Sequence, residues 1–246
     1  MPLSPARVLR TFRYAMYFDG VDDYINIPPS SSLALSPSFT LTAWLLIPPG
    51  TVGSKGVVQK NPRLNDYDYM LYLTSLGSAT AFFKNPAGTT FSVGYDVDHR
   101  DGRWHFWTGV FDGRLLRMYV DAVLRATRDT GGQTVRTSDT PLAVGFGWGG
   151  YTRMYSACVL IYSRPLSDSE ISWNYSYPDN PIRNGMVLWL QAHPDYIEDI
   201  DGDGVLEWLD ISGYNNHGKI YGARLVELIR APMRLLTTSG VVGVAR

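Results

Sequence analysis

The residues with the most definite chemistry lie in one run, Asp199-Ile200-Asp201-Gly202-Asp203-Gly204-Val205-Leu206-Glu207-Trp208-Leu209-Asp210. Oxygen ligands fall at loop positions one, three, five, seven, nine and twelve, with Gly at position six, the spacing by which a calcium loop gathers oxygens around a hard cation. Asp199, Asp201, Asp203, Glu207 and Asp210 would supply carboxylates and Val205 its main-chain carbonyl. So many carboxylates in one turn repel one another unless a cation joins them. Against calcium, Ile211-Ser212-Gly213-Tyr214 is a poor start for the second helix of an EF-hand. The alternative is an exposed Asp/Gly-rich loop that holds no metal.

Other catalytic chemistries find little support. His99, His105, His193 and His217 show no zinc spacing and have no nearby cysteine partner. Asp98, His99 and Ser92 offer the residue types of a triad, but no Gly-x-Ser-x-Gly elbow presents the serine. No P-loop or dinucleotide fingerprint opens a helix. Cys158 is the only cysteine, so no intrachain disulfide forms, and its strand setting predicts a small buried apolar group. Aromatic faces are natural platforms for sugar rings. Tyr67, Tyr69, Tyr95, Trp148 and Tyr151 fall on or beside expected loops and strand ends and are the candidate ligand-binding residues, with ordinary burial as the alternative for each. Trp44 and Trp104, in alternating strands, are expected in the core.

The elements that must position these groups are strands. The chain has 246 residues, 45% hydrophobic and 18% charged, with 24 Gly and 16 Tyr. That length suits one large sandwich, and aromatic and glycine enrichment suits strands and turns. Alternation is visible in Phe39-Thr40-Leu41-Thr42-Ala43-Trp44-Leu45, and strands are expected over 39–47, 67–74, 79–84, 104–111 and 115–120. Asp112-Gly113 is a strong hairpin turn. A short helix is expected over 167–175, where Ser167 and Glu170 form a capping box. The formal charge of -1 and the lack of a Lys/Arg run argue against nucleic acid as a partner. No apolar run reaches the roughly 18 residues of a membrane span. The first fourteen residues lack the apolar core of a signal peptide, so none is expected there.

Four blocks carry a family resemblance. Phe18-Asp19-Gly20-Val21-Asp22-Asp23-Tyr24-Ile25 with Ser38-Phe39-Thr40-Leu41-Thr42-Ala43-Trp44 resembles the opening of laminin G-like, concanavalin A-like domains. Gly102-Arg103-Trp104-His105, Val110-Phe111-Asp112-Gly113 and Met118-Tyr119-Val120-Asp121 resemble that family's paired central strands. Ile161-Tyr162-Ser163-Arg164-Pro165-Leu166-Ser167, up to Glu170-Ile171, resembles its closing strand and helix. Residues 185–190 and 212–223 resemble the strands that usually precede the first block, yet here they come last.

The resemblance implies an all-β, concanavalin A-like jelly-roll sandwich of two antiparallel sheets with one short helix. The expected organisation is an N-terminal arm (1–14), a jelly roll (15–177), a linker (178–184), C-terminal strands (185–236) that complete the same sandwich or a neighbour's, and a tail (237–246). Pro5-Ala6-Arg7-Val8-Leu9 echoes Pro232-Met233-Arg234-Leu235-Leu236, in keeping with head-to-tail units. Relatives often hold a calcium between the first acidic block and an acidic pair in the closing strand. Here that pair reads Ala157 and Cys158, which puts this ion in doubt and leaves Asp19, Asp22 and Asp23 to shape a turn. The wider fold includes glycoside hydrolases, but none of Glu170, Glu198, Glu207 and Glu227 sits in the alternating acidic strand of those enzymes. The expectation is therefore a non-catalytic module for recognition or structural assembly at an extracellular or particle surface, partnered by itself, another surface protein or a glycan. A carbohydrate-binding lectin is the alternative, and a glycoside hydrolase a distant third.

Overall fold

The computed structural model describes residues 12–63 and 66–228; most of the expected arm, both pentapeptide echoes and the tail 237–246 lie outside the described residues. Two large antiparallel sheets face each other. The first runs in space Val123–Asp129, Leu115–Val120, Trp104–Phe111, Phe39–Leu46, Met154–Tyr162, Tyr14–Phe18 and Arg224–Glu227. The long strand Met154–Tyr162 shares its second edge: its first residues pair with Tyr14–Phe18 and its later ones with Met186–Gln191. The second sheet runs Ile197–Glu198, Glu207–Trp208, Gly218–Tyr221, Tyr24–Ile27, Leu142–Val144, Lys55–Lys60, Tyr69–Leu73, Ala79–Lys84 and Thr90–Tyr95.

Period-two alternation explains why these segments stack. In Phe39–Leu46, the side chains of Phe39, Leu41, Ala43 and Leu45 enter the core between the sheets. Trp44 points the other way, and a short helix, Asp168–Ser176, covers that face. Trp44 stacks on Tyr175 at 5.1 Å and meets Phe106 at the same separation, with Leu166 and Ile171 completing this second cluster. The helix starts at a true capping box: Ser167 accepts from the Glu170 N–H, and the Glu170 carboxylate accepts from the Ser167 N–H. Arg164 grips the same carboxylate through both terminal nitrogens, at 3.0 and 2.6 Å. This holds the Glu170 carboxyl at about 2, well below its ordinary 4.5.

The C-terminal strands join both sheets, Gly218–Tyr221 inside the second and Arg224–Glu227 at the edge of the first. Gly218–Tyr221 pairs with Tyr24–Ile27, and Arg224–Glu227 with Tyr14–Phe18, so the two ends of the chain complete each sheet together. The 178–184 stretch is pinned against the helix, because Ile182 N–H donates to Asn174 Oδ1 and the Tyr162 hydroxyl donates to the Ile182 carbonyl. Cys158 is buried among Trp44, Leu160 and Trp189, and burial raises its thiol far above the ordinary value.

A tyrosine groove between two acidic loops

The outer face of the second sheet is where strand alternation leaves polar and aromatic groups. Ile25 and Ile27 point into the core, which turns Tyr24 and Asn26 outward. The neighbouring strand matches this pattern, and Tyr221 lies directly opposite Tyr24 while Lys219 lies opposite Asn26. A directly opposed pair brings side chains into contact, and the Tyr24 and Tyr221 rings stack at 4.8 Å with 13° between planes. Next in sequence, Gly222 has φ of +70°, and a Cβ there would collide with the Asp23 carboxylate, so only glycine fits.

A small hairpin, Phe146–Gly147 paired with Gly150–Tyr151, folds across this face. Gly56 N–H donates to the Trp148 carbonyl at 3.0 Å, and the Trp148 N–H donates to Gln59 Oε1 at 2.8 Å. Lys55 Nζ donates to the Gly149 carbonyl. One side of the hairpin presents Phe146 and Tyr151, 5.7 and 6.0 Å from the Tyr24 ring. The other side sends Trp148 over Tyr67, stacked at 5.6 Å, with Tyr72 and Phe82 closing a box. Between Tyr151 and the acidic loop opens a shallow groove of 590 Å³ lined by Asp22, Tyr24, Tyr151, Leu206, Ile220 and Tyr221, among others. Burial, and then the nearby Tyr221 and Tyr151, raise the Tyr24 phenol above its ordinary 10.0, so it stays a hydroxyl donor at neutral pH.

Of the five aromatic residues expected to meet a ligand, the structure brings only Tyr151 to this groove. Tyr69 is a correction: it is 1% exposed, and its hydroxyl donates to the Leu33 carbonyl inside the core, because its strand alternates with Leu71 and Leu73 inward. Tyr67 is equally buried, under Trp148 and beside the Lys84 ammonium. Trp148 itself is half-buried in that box. Tyr95 packs against the core with Arg125 over its ring, away from the groove. Tyr24 and Tyr221 were missed. The only sequence signal for them was the outward phase of short strands whose partners lie nearly two hundred residues away.

Two acidic loops flank the groove. On one side, carboxylate oxygens of Asp19, Asp22 and Asp23 lie within 4.8 Å of one another. Asp23 Oδ2 accepts from the Asp19 N–H, and Asp19 Oδ1 from the Val21 N–H, so these residues do shape the turn. Burial raises the Asp23 carboxyl above 3.8, opposed by that hydrogen bond and reinforced by Asp19 and Asp22. Ala157 and Cys158 lie further along the closing strand, whose pairing sets Met154 opposite Phe18, and so do not reach this turn.

On the other side lies the expected calcium loop. Asp199, Asp201 and Glu207 converge within 4.8 Å, so half of the expected set is gathered. Asp199 accepts from the Gly202 and Gly204 N–H groups, and Glu207 Oε2 from the Ile200 N–H. Asp203 turns to Lys219 and accepts from the Val205 N–H. The centre is held by Lys219, whose Nζ is 2.8 Å from Asp201 Oδ2, in contact with Asp203, and 3.7 Å from Glu207 Oε1. Lys219 lowers the Asp203 carboxyl, and Asp201 and Asp203 in turn raise the Lys219 ammonium.

Asp210 is the second correction. Its carboxylate is 5% exposed and accepts from Trp189 N–H, Ser212 N–H, Ser212 Oγ and Asn216 N–H, so no oxygen is turned toward the loop. The residue sits in a bridge opposite Leu190, pulled into the sheet by the strand 186–191.

Most of the remaining catalytic candidates are committed elsewhere, while Glu198 is exposed on the strand opposite Glu207. Asp98 pairs with Arg100, and His99 packs edge-on against Trp107 and His105, so Ser92, Asp98 and His99 form no triad. Glu170 caps the helix, Glu207 faces Lys219, and Glu227 pairs with Arg13.

A family model, described as the concanavalin A-like lectin/glucanases superfamily, matches residues 19–172. The chain belongs to the concanavalin A-like lectin/glucanase superfamily. A protein from Bacteroides ovatus described as carbohydrate binding shares this superfamily's fold with the chain at a TM-score of 0.67 and 18% identity, covering 91% of this chain and 62% of that one. The native heptameric SAP-like pentraxin of Limulus polyphemus aligns at 0.51 and 14% identity, over 70% of this chain and 85% of its own. The binding domain of botulinum neurotoxin serotype G aligns at 0.53 and 11% identity, over 68% of this chain and 43% of its own. The chain thus spans less than two-thirds of the Bacteroides and neurotoxin proteins. No curated protein sequence matches it. Among the described residues, no helix is long and apolar enough to cross a membrane.

Proposed function

We propose that this concanavalin A-like domain is a non-catalytic recognition module that binds carbohydrate in the tyrosine groove. The observation that carries the reading is the groove itself, where Tyr24, Tyr151 and Tyr221 meet Asp22 on an open sheet face. Aromatic carbon surface suits the C–H face of a sugar ring, while phenol and carboxylate groups suit its hydroxyls. The carbohydrate-binding description of the Bacteroides neighbour agrees with this. Such a ligand fits a place at an extracellular or particle surface. The commitment of Asp98, Glu170, Glu207 and Glu227 to ion pairs and a helix cap supports recognition over hydrolysis. Binding is tested by calorimetry and a glycan array, comparing the parent chain with Tyr221→Ala and Tyr24→Ala. Loss of about 1 kcal/mol per ring is expected, and profiles unchanged in both variants would reject the groove.

A second reading, a structural subunit that exchanges its C-terminal strands, has one supporting observation. Strands 218–221 and 224–227 add to strands from the opposite end of the chain, so the same pairing can form between copies. Light scattering decides it, since exchange requires oligomers at micromolar concentration. Calcium is retained as a ligand of Asp199, Asp201 and Glu207, supported by their convergence; it would have to displace the Lys219 ammonium.

A further inference from the structure

We infer that the groove prefers a glycan bearing ammonium groups, an oligomer of a basic amino sugar such as glucosamine, over neutral and acidic glycans. This rests on the carbohydrate reading above and concerns which sugars the groove selects.

The two walls of the groove are negative, and no basic side chain lines it. Asp22 is exposed and faces the groove directly, with Asp19 and Asp23 behind it. The opposite wall, residues 204–206, is the end of the loop that holds Asp199, Asp201 and Asp203. Lys219 is tied to its own loop by Asp201, Asp203 and Glu207. Arg224 lies over the Tyr17 ring at 5.8 Å, and Lys55 caps the Gly149 carbonyl. Arg153 backs onto Gly20 beneath the first acidic turn. None of these four basic side chains lines the groove, so Asp22 is the only formal charge among the lining residues.

A uronate or sulfate would enter against this field, whereas an ammonium is attracted to Asp22 and to exposed tyrosine faces. A ring-bearing ligand is favoured over a basic peptide by the site's form. Tyr24 and Tyr221 stack on each other and so do not enclose a cation, and the groove is an open trough.

The test is calorimetry on the full chain at low salt, with the amine protonated, using hexamers of glucosamine, N-acetylglucosamine and galacturonate, and hexalysine. The glucosamine hexamer should bind about tenfold tighter than its N-acetylated form, and galacturonate should give no heat. That preference should shrink at high salt and in Asp22→Asn, an exposed change that leaves the melting temperature unmoved. Tyr221→Ala should weaken both amino-sugar hexamers alike. Equal or tighter binding of the N-acetylated or acidic hexamer would overturn the charge preference and leave the carbohydrate reading standing. Hexalysine binding as tightly as the glucosamine hexamer would also overturn the inference, and silence from all the sugar hexamers would overturn both.

Discussion

Asp210→Ala offers the most direct check on the reasoning, because the sequence pattern and the tertiary structure give this residue different work. As the twelfth residue of a calcium loop, its loss would matter only when calcium is bound. In the structure its buried carboxylate accepts four hydrogen bonds at 2.8 to 2.9 Å, joining strand 186–191 to the 211–217 segment. Hydrogen bonds to a charged group are worth about 1.5–3 kcal/mol each. The two donors of Ser212 are half-exposed, so water can replace the carboxylate there, whereas the Trp189 and Asn216 N–H groups are buried. Keeping those two gives a loss of about 3–6 kcal/mol. At roughly 2–4 °C per kcal/mol for a chain of this size, the melting temperature should fall by about 10 °C. Urea titrations followed by tryptophan fluorescence, in chelator and in calcium, measure it. A loss below about 1 kcal/mol in chelator, or one that emerges only with calcium, would refute the assignment.

Gly222→Ala should destabilise by about 1–3 kcal/mol and weaken groove ligands, because φ of +70° and the Asp23 carboxylate both reject a Cβ; thermal melts and ligand calorimetry report it. Lys219→Met removes the ammonium that competes at the acidic loop, so calcium should bind about tenfold tighter by calorimetry, and Asp201→Ala should abolish it; no calcium heat in Lys219→Met would end the calcium proposal. The His105 imidazole is lowered by burial but raised more by Asp121 and Asp101, ending above 6.5, so its stabilisation is complete below pH 6.5 and is lost as pH rises through its folded value. Its neighbour His99 is lowered by burial and by His105, so its contribution is complete above pH 6.5 and is lost as pH falls. His105→Gln should therefore flatten the alkaline side of the stability profile and leave a decline on the acid side, read from urea melts across pH.

Much of the scaffold was legible because its signals are local. The strands Ala79–Lys84, Trp104–Phe111 and Leu115–Val120 match the expected ranges, and the Asp112-Gly113 turn joins the last two. The capping box placed the helix within a residue. The site was less legible for a physical reason. Candidate platforms were chosen by nearness to loops, but exposure depends on which face of a strand a residue takes and on what folds over that face. Tyr69 fell on the inward phase, and Tyr67 was covered by the Trp148 hairpin. The calcium spacing identified three carboxylates that do converge. It could not show that Lys219, twelve residues beyond Glu207, enters from the next strand, nor that Asp210 is drawn away to Trp189.

The amino-acid order alone determined the family, the two-faced strands and the helix start, since each rests on side chains a few positions apart. Tertiary structure decided the groove. Tyr221 meets Tyr24 only after the chain's two ends pair in one sheet, and Tyr151 joins them only when its hairpin folds across the face. Contacts between residues so far apart depend on register and coverage, and no local pattern encodes either.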